Sequence, residues 1–93
     1  MYYVYILYND KTKRYYIGYT PDLRKRLRQH LDGKVQSTKS NLNYHLTFYC
    51  AFDKRKVASE FERYLKSGSG VTFMKKRFLN NVALKKDINQ GNT

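Results

Sequence analysis

The chain has 93 residues, enough for one domain with a single modest core of two layers. Nineteen Lys and Arg stand against seven Asp and Glu, a formal net charge of +12, and a small domain so far from neutrality points to an anionic partner, nucleic acid first. One cysteine, Cys50, excludes an internal disulfide and suits a reduced, cytoplasmic setting, while no apolar run approaches a membrane span and "MYYVYILY" lacks the basic start of a secretion signal.

The unbroken run of β-branched and aromatic residues "YYVYILY" (2–8) predicts a strand buried on both faces. Asn9 to Lys13 is a polar turn, and "RYYIGYT" (14–20) returns as a second strand. The loop is too short for a crossover, so the pair is an antiparallel hairpin. Thr20 as N-cap, Pro21 at the first helical position and Asp22 in the first turn open a helix. Leu23, Leu27 and Leu31 form its core stripe, and Gly33 stops it. Lys34 to Tyr44 is polar and aperiodic, a long loop of the kind that carries function.

A third strand follows in "HLTFYCAF" (45–52), then a second helix in "KRKVASEFERYLK" (54–66) with Val57, Phe61, Tyr64 and Leu65 as its buried face. "SGSG" (67–70) breaks that helix, residues 71–88 carry the spacing of one or two more, and "NQGNT" is a frayed tail. The sum is an α+β fold, one domain over residues 1–93 with its core at about 2–80, built on a three-stranded antiparallel sheet flanked by helices.

Chemistry-bearing residues gather in two places. On the first helix, Arg26 and His30 share one edge of the leucine stripe while Arg24, Lys25 and Arg28 fan toward solvent. A cation one turn from a histidine can clamp a phosphate and help move a proton, although a surface arginine beside a half-buried histidine has the same pattern. In the hairpin, alternation puts Tyr3, Tyr5 and Leu7 on one face, and Tyr16, Gly18 and Thr20 together on the other strand. Gly18 leaves room for close approach by a ligand or by backbone. Tyr5 and Tyr16 are then either core tyrosines with satisfied hydroxyls or phenols at that gap. A phenol titrates near ~10, so acting as a base requires a nearby cation.

The acids limit the metal sites. Asp10 and Asp22 sit in a turn and a helix start, and Asp87 lies near the tail. Glu60 and Glu62 flank opposite edges of the second helix, and either suits Mg²⁺, which takes one or two carboxylates and keeps waters. Glu62 also stands four residues before Lys66, the spacing of a surface ion pair. Pro21-Asp22 followed by Asp32-Gly33-Lys34 spells a restriction-enzyme signature, but the helical rise separates the two carboxylates by about 15 Å, too far to share a metal. One cysteine and two histidines are too few for a zinc cluster. "KSGSG" (66–70) lacks the strand–loop–helix setting of a phosphate loop.

Taken together these pieces resemble the GIY-YIG nuclease superfamily, and within it the small standalone bacterial branch. Tyr16-Ile17-Gly18 is the second half-motif verbatim, and Tyr3-Val4-Tyr5 stands where Gly-Ile-Tyr would. Asp22-Leu23, Arg26, His30 and Gly33 resemble the branch's D-L-x-x-R-x-x-x-H-x-x-G, and "ASEFERYLK" resembles its A-x-x-x-E-x-x-I/L-K. The similarity runs from about Tyr2 to Phe78. The resemblance implies phosphodiester hydrolysis, most naturally of DNA, with one divalent metal, Mg²⁺ or Mn²⁺. It selects Glu62 over Glu60 as the metal ligand. It gives Arg26 a second cationic role at the phosphate, Tyr5 the role of base or water-positioning group, Tyr16 a hydrogen bond in the same centre, His30 assistance in proton transfer, and Gly18 the clearance.

Tyr3 departs from the motif glycine and is a bulky change beside Tyr5. Larger members of the superfamily attach a separate DNA-recognition domain, for which these residues leave no room. Contacts to nucleic acid are therefore expected from Arg24, Lys25, Arg28, Lys34 and Lys39, or from a protein partner, and a structure-selective nuclease of repair or recombination is the expected type. The alternatives are a nucleic-acid-binding module on the same fold without efficient catalysis, and an adaptor for an acidic assembly.

Overall fold

In a computed structural model, residues 1–33 and 43–79 are described. They form strand β1 (Tyr2–Asn9), strand β2 (Tyr15–Thr20), helix α1 (Leu23–Leu31), strand β3 (Tyr44–Phe52), helix α2 (Arg55–Lys66) and helix α3 (Gly68–Met74), continued by a turn of π-helix over Lys75–Leu79. The expected α+β class and three-stranded antiparallel sheet are both present. The expected loop of residues 34–44, with Lys34 and Lys39, falls mostly outside the described residues, as do Asp87 and the tail. Among the described residues no helix is long and apolar enough to cross a membrane.

β1 is the central strand, in the order β2-β1-β3. Its position explains the unbroken apolar run, because Val4, Tyr5, Ile6 and Leu7 are all buried. The β1–β2 register pairs Tyr3 with Thr20, Tyr5 with Gly18 and Leu7 with Tyr16, so the alternation read from the two strands brings those six residues to one face. β3 pairs with the other edge, with Tyr49 opposite Tyr5, and a register shift falls between Ile6 and Leu7. The hairpin turn is held by the Asn9 side chain, whose Oδ1 accepts from the backbone N–H of Lys11 and of Thr12, both at 2.9 Å. Lys13 takes a left-handed φ of 62° to close it.

α1 begins two residues later than the sequence pattern suggests. Asp22, not Thr20, is the N-cap, its carboxylate accepting from the Lys25 N–H at 3.0 Å. Thr20 instead remains in β2 and binds Asp22 on both sides, accepting from its N–H at 3.1 Å and donating to its carbonyl at 3.2 Å. The strand thus hands its last hydroxyl to the cap and fixes where the helix starts. Gly33, at φ 72°, ends the helix as expected and donates to the His30 carbonyl. The leucine stripe is incomplete: Leu23 and Leu27 are half-buried, but Leu31 is 68% exposed and His30 is the buried residue of the last turn.

By contact density the chain divides into two units, Met1–Glu62 and Arg63–Thr93. In the first, α2 contributes the fully buried Ala58 and the half-buried Phe61, whose ring meets Phe52 edge-on at 5.5 Å. Val57, expected in the buried face, is 42% exposed. In the second unit Leu65 and Met74 are buried, whereas Tyr64, also expected inside, is 43% exposed with its ring 5.9 Å from Phe73. Ala58, not its neighbour Val57, is the fully buried residue of that turn of α2. "SGSG" does interrupt the helix, but for a single residue: Ser67 accepts from Gly70 N–H and caps α3 at once. Its hydroxyl also donates to the Tyr64 carbonyl at 2.6 Å.

Candidate active site

The site assembles where α1 lies against the β1–β2 hairpin. Tyr5 is fully buried on the central strand. Directly across the ladder is Gly18, and a Cβ there would stand 2.5 Å from the Tyr5 hydroxyl oxygen, so only glycine leaves space for the phenol. The hydroxyl oxygen lies 3.0 Å from Nε2 of His30, a buried hydrogen bond joining β1 to α1. Tyr16, two pairs further along the ladder and on the same face, packs its ring 6.2 Å from Tyr5 and edge-on to His30 at 4.9 Å. The imidazole is thereby held between two phenols, since it also meets Tyr5 edge-on at 5.7 Å.

Arg26, one turn before His30, is half-buried and acts on both Tyr5 and His30. Burial, reinforced by Tyr16, pushes the Tyr5 phenol up to about 12, and the pull of Arg26 in the opposite direction does not overcome it. The arginine alone therefore does not supply the low-pKa phenol that a free base requires. His30 is shifted below its usual range, first by burial and then by Arg26. The resulting pair is a neutral phenol bonded to a neutral imidazole near pH 7, with one proton on the shared bond.

Four of the sequence-derived residues, Tyr5, Tyr16, Arg26 and His30, thus meet at one centre with Gly18 as its clearance. Glu62 comes from α2, half-buried and next to Phe61, whose partner Phe52 stands on the other sheet face, with Tyr2 and Val4. Glu60 is exposed. Among the described residues no three His, Cys, Asp or Glu side chains gather into a metal-holding group. A single carboxylate completed by waters is a donor set that Mg²⁺ and Mn²⁺ accept and Zn²⁺ does not, so Glu62 fits a hard divalent ion. Arg24, Lys25 and Arg28 are exposed on α1. Lys34 and Lys39 lie outside the described residues.

Two hollows flank the start of α1. One, of about 220 Å³, is lined by Thr20, Lys25, Arg26 and Gln29 and is cationic. The other, of about 360 Å³, lies between α1 and the aromatic pair Tyr3 and Tyr49, whose rings are 6.4 Å apart. Pro21 and Asp22 border both. Tyr49 carried no motif in the sequence. The period-two alternation of β3 marks it only once the register with Tyr5 is known.

The model of one family, described as the GIY-YIG catalytic domain, matches residues 1–76. No curated protein and no solved structure gives a significant match.

Proposed function

The chain belongs to the GIY-YIG nuclease superfamily, and from that premise we propose that it is a metal-dependent endonuclease that nicks DNA, in a cytoplasmic repair or recombination setting. The coarser reading, a nuclease-type domain with a nucleic-acid substrate, follows from membership. The observation that carries the finer one is the Tyr5–His30 hydrogen bond beside Arg26, because a module that only binds needs positive charge but not a buried phenol–imidazole pair.

In this reading Arg26, with Lys25 beside it, seats the scissile phosphate in the cationic hollow. Tyr5 and His30 form the proton relay: as the attacking water gives a proton to the Tyr5 oxygen, the phenol passes its own to Nε2 of His30, and because Tyr5 is fully buried in the free protein this step requires substrate binding to uncover it. The neutral state of His30 leaves it able to accept. Tyr16 walls the imidazole and fixes its plane. Superfamily members generally use divalent metals, and Glu62 is the carboxylate that would hold Mg²⁺ or Mn²⁺; the ion would supply positive charge to the reacting phosphate.

The test is nicking of supercoiled plasmid and of branched and single-stranded DNA with Mg²⁺ or Mn²⁺, comparing wild type with Arg26→Ala. Metal-dependent nicking that drops roughly a hundredfold or more in the variant is expected. Salt-sensitive binding without cleavage of any substrate would instead establish the binding module.

A further inference from the structure

Tyr49 is 53% exposed, an unusual setting for a large ring on the sheet face that carries Tyr5. It stands beside Tyr3, and together with Leu23 and Leu27 of α1 the two rings line the larger hollow. The remaining chemistry of that hollow is one carboxylate, Asp22, and one guanidinium, Arg24. Aromatic and aliphatic side chains with one charge of each sign exert no net pull on a phosphate. They suit a flat, uncharged ring whose edge can donate to Asp22. A volume of about 360 Å³ is ample for one such ring.

The neighbouring hollow has a net positive charge, with Lys25 and Arg26 on its walls against the shared Asp22, and the Pro21–Asp22 corner is common to both. A phosphate on one side of that corner would place its own nucleotide's base on the other. Resting on the nuclease reading of the Tyr5 centre, we propose that Tyr3 and Tyr49 form a stacking shelf for one nucleobase beside the scissile phosphate. A base inside a duplex is paired and stacked on its neighbours, so it reaches the shelf only where the strand is single or the nucleotide unpaired. The substrate class is therefore nucleic acid with an unpaired nucleotide at the cut, and the stacking is tolerant of base identity.

Binding measured in EDTA separates this shelf from catalysis. By fluorescence anisotropy, Tyr49→Ala is expected to weaken binding of a labelled single-stranded DNA oligonucleotide roughly tenfold and of a blunt duplex less than twofold, with Tyr49→Phe close to wild type. The chain contains no tryptophan, so Tyr49→Trp introduces a single indole that can be excited to the red of the tyrosines, and the single strand should quench its emission while the duplex should not. Equal losses on both DNAs, no loss on either, or an emission that the single strand leaves unchanged would overturn the shelf. If these signatures appear and no DNA is ever nicked, the shelf stands and the endonuclease reading falls. If DNA is nicked but the signatures are missing, the reverse holds.

Discussion

A methyl group at Gly18 would stand 2.5 Å from the hydroxyl oxygen of Tyr5 and 2.6 Å from the ring carbon that bears it. The two residues face each other across the β1–β2 ladder, and the Tyr5 ring is enclosed on all sides. A buried aromatic ring has little freedom to yield, so the clearance at Gly18 sets where the phenol points.

Gly18→Ala should therefore overpack the site, destabilising the fold by about 1–3 kcal/mol and turning Tyr5 away from His30. Circular-dichroism melts should show a midpoint lower by roughly 5–15 °C, and nicking should fall at least ~tenfold under conditions where the variant is folded. A variant with wild-type melting and wild-type nicking would mean that the phenol is not held by this contact.

The pH dependence of stability follows from the same pair. His30 binds its proton less readily folded than unfolded, so its contribution is complete above about pH 6.5 and is lost as pH falls through its lowered folded value. Tyr5 has the opposite sense: its folded pKa of about 12 exceeds the ordinary 10.0, so stability declines as pH rises from 10 toward 12. Urea titrations from pH 4 to 11.5 should show both slopes, with His30→Asn flattening the acid one and Tyr5→Phe the alkaline one. In ultraviolet titration Tyr5→Phe should remove the last tyrosine to ionise. An unchanged alkaline tail would show that another phenol is the late one.

Glu62 and Glu60 separate on burial, the first half-buried and the second exposed. Glu62→Gln should lower nicking roughly a hundredfold and abolish the Mn²⁺ broadening of nearby proton resonances, whereas Glu60→Gln should alter neither by more than twofold. Full activity in Glu62→Gln would remove it as the metal ligand.

Gly70 is buried at the start of α3, and a Cβ there would collide with the carbonyl of Tyr64. The obstacle is backbone rather than a movable side chain. Gly70→Ala should lower the melting midpoint by several degrees, while Gly68→Ala, which meets nothing, should leave it within about 2 °C. Equal midpoints would place the Tyr64 carbonyl elsewhere.

Much of this site was legible before any coordinates because strand alternation is a strict period of two. Once Tyr5 and Gly18 lie on strands of one hairpin, parity puts them on a common face, and the cap and glycine stop bracket the helix that carries Arg26 and His30. Details that rest on competition were not legible. Thr20 and Asp22 are both good caps, and the winner is decided by Thr20 binding Asp22 from within β2. Periodicity marks a stripe along a helix but not how deep each position sits. Leu31 therefore ended outside and His30 inside, and Ala58 displaced Val57 from the interior. Tyr49 needed the β3 register, which no local pattern encodes.

The placement of β1 between its two partners also bears on how the chain acquires activity. β2 follows through a tight local turn, and a hairpin of this kind closes in about 1–10 μs. The second edge must wait for β3, whose Phe52 has to find Tyr2 from far along the chain, a slower non-local search. Until then the ring of Tyr5 has Gly18 opposite it but no β3 strand on its other side. A refolding chain is therefore expected to close the signature hairpin before the reaction centre is complete. Activity should return in step with β3 docking, later than the hairpin's own signal.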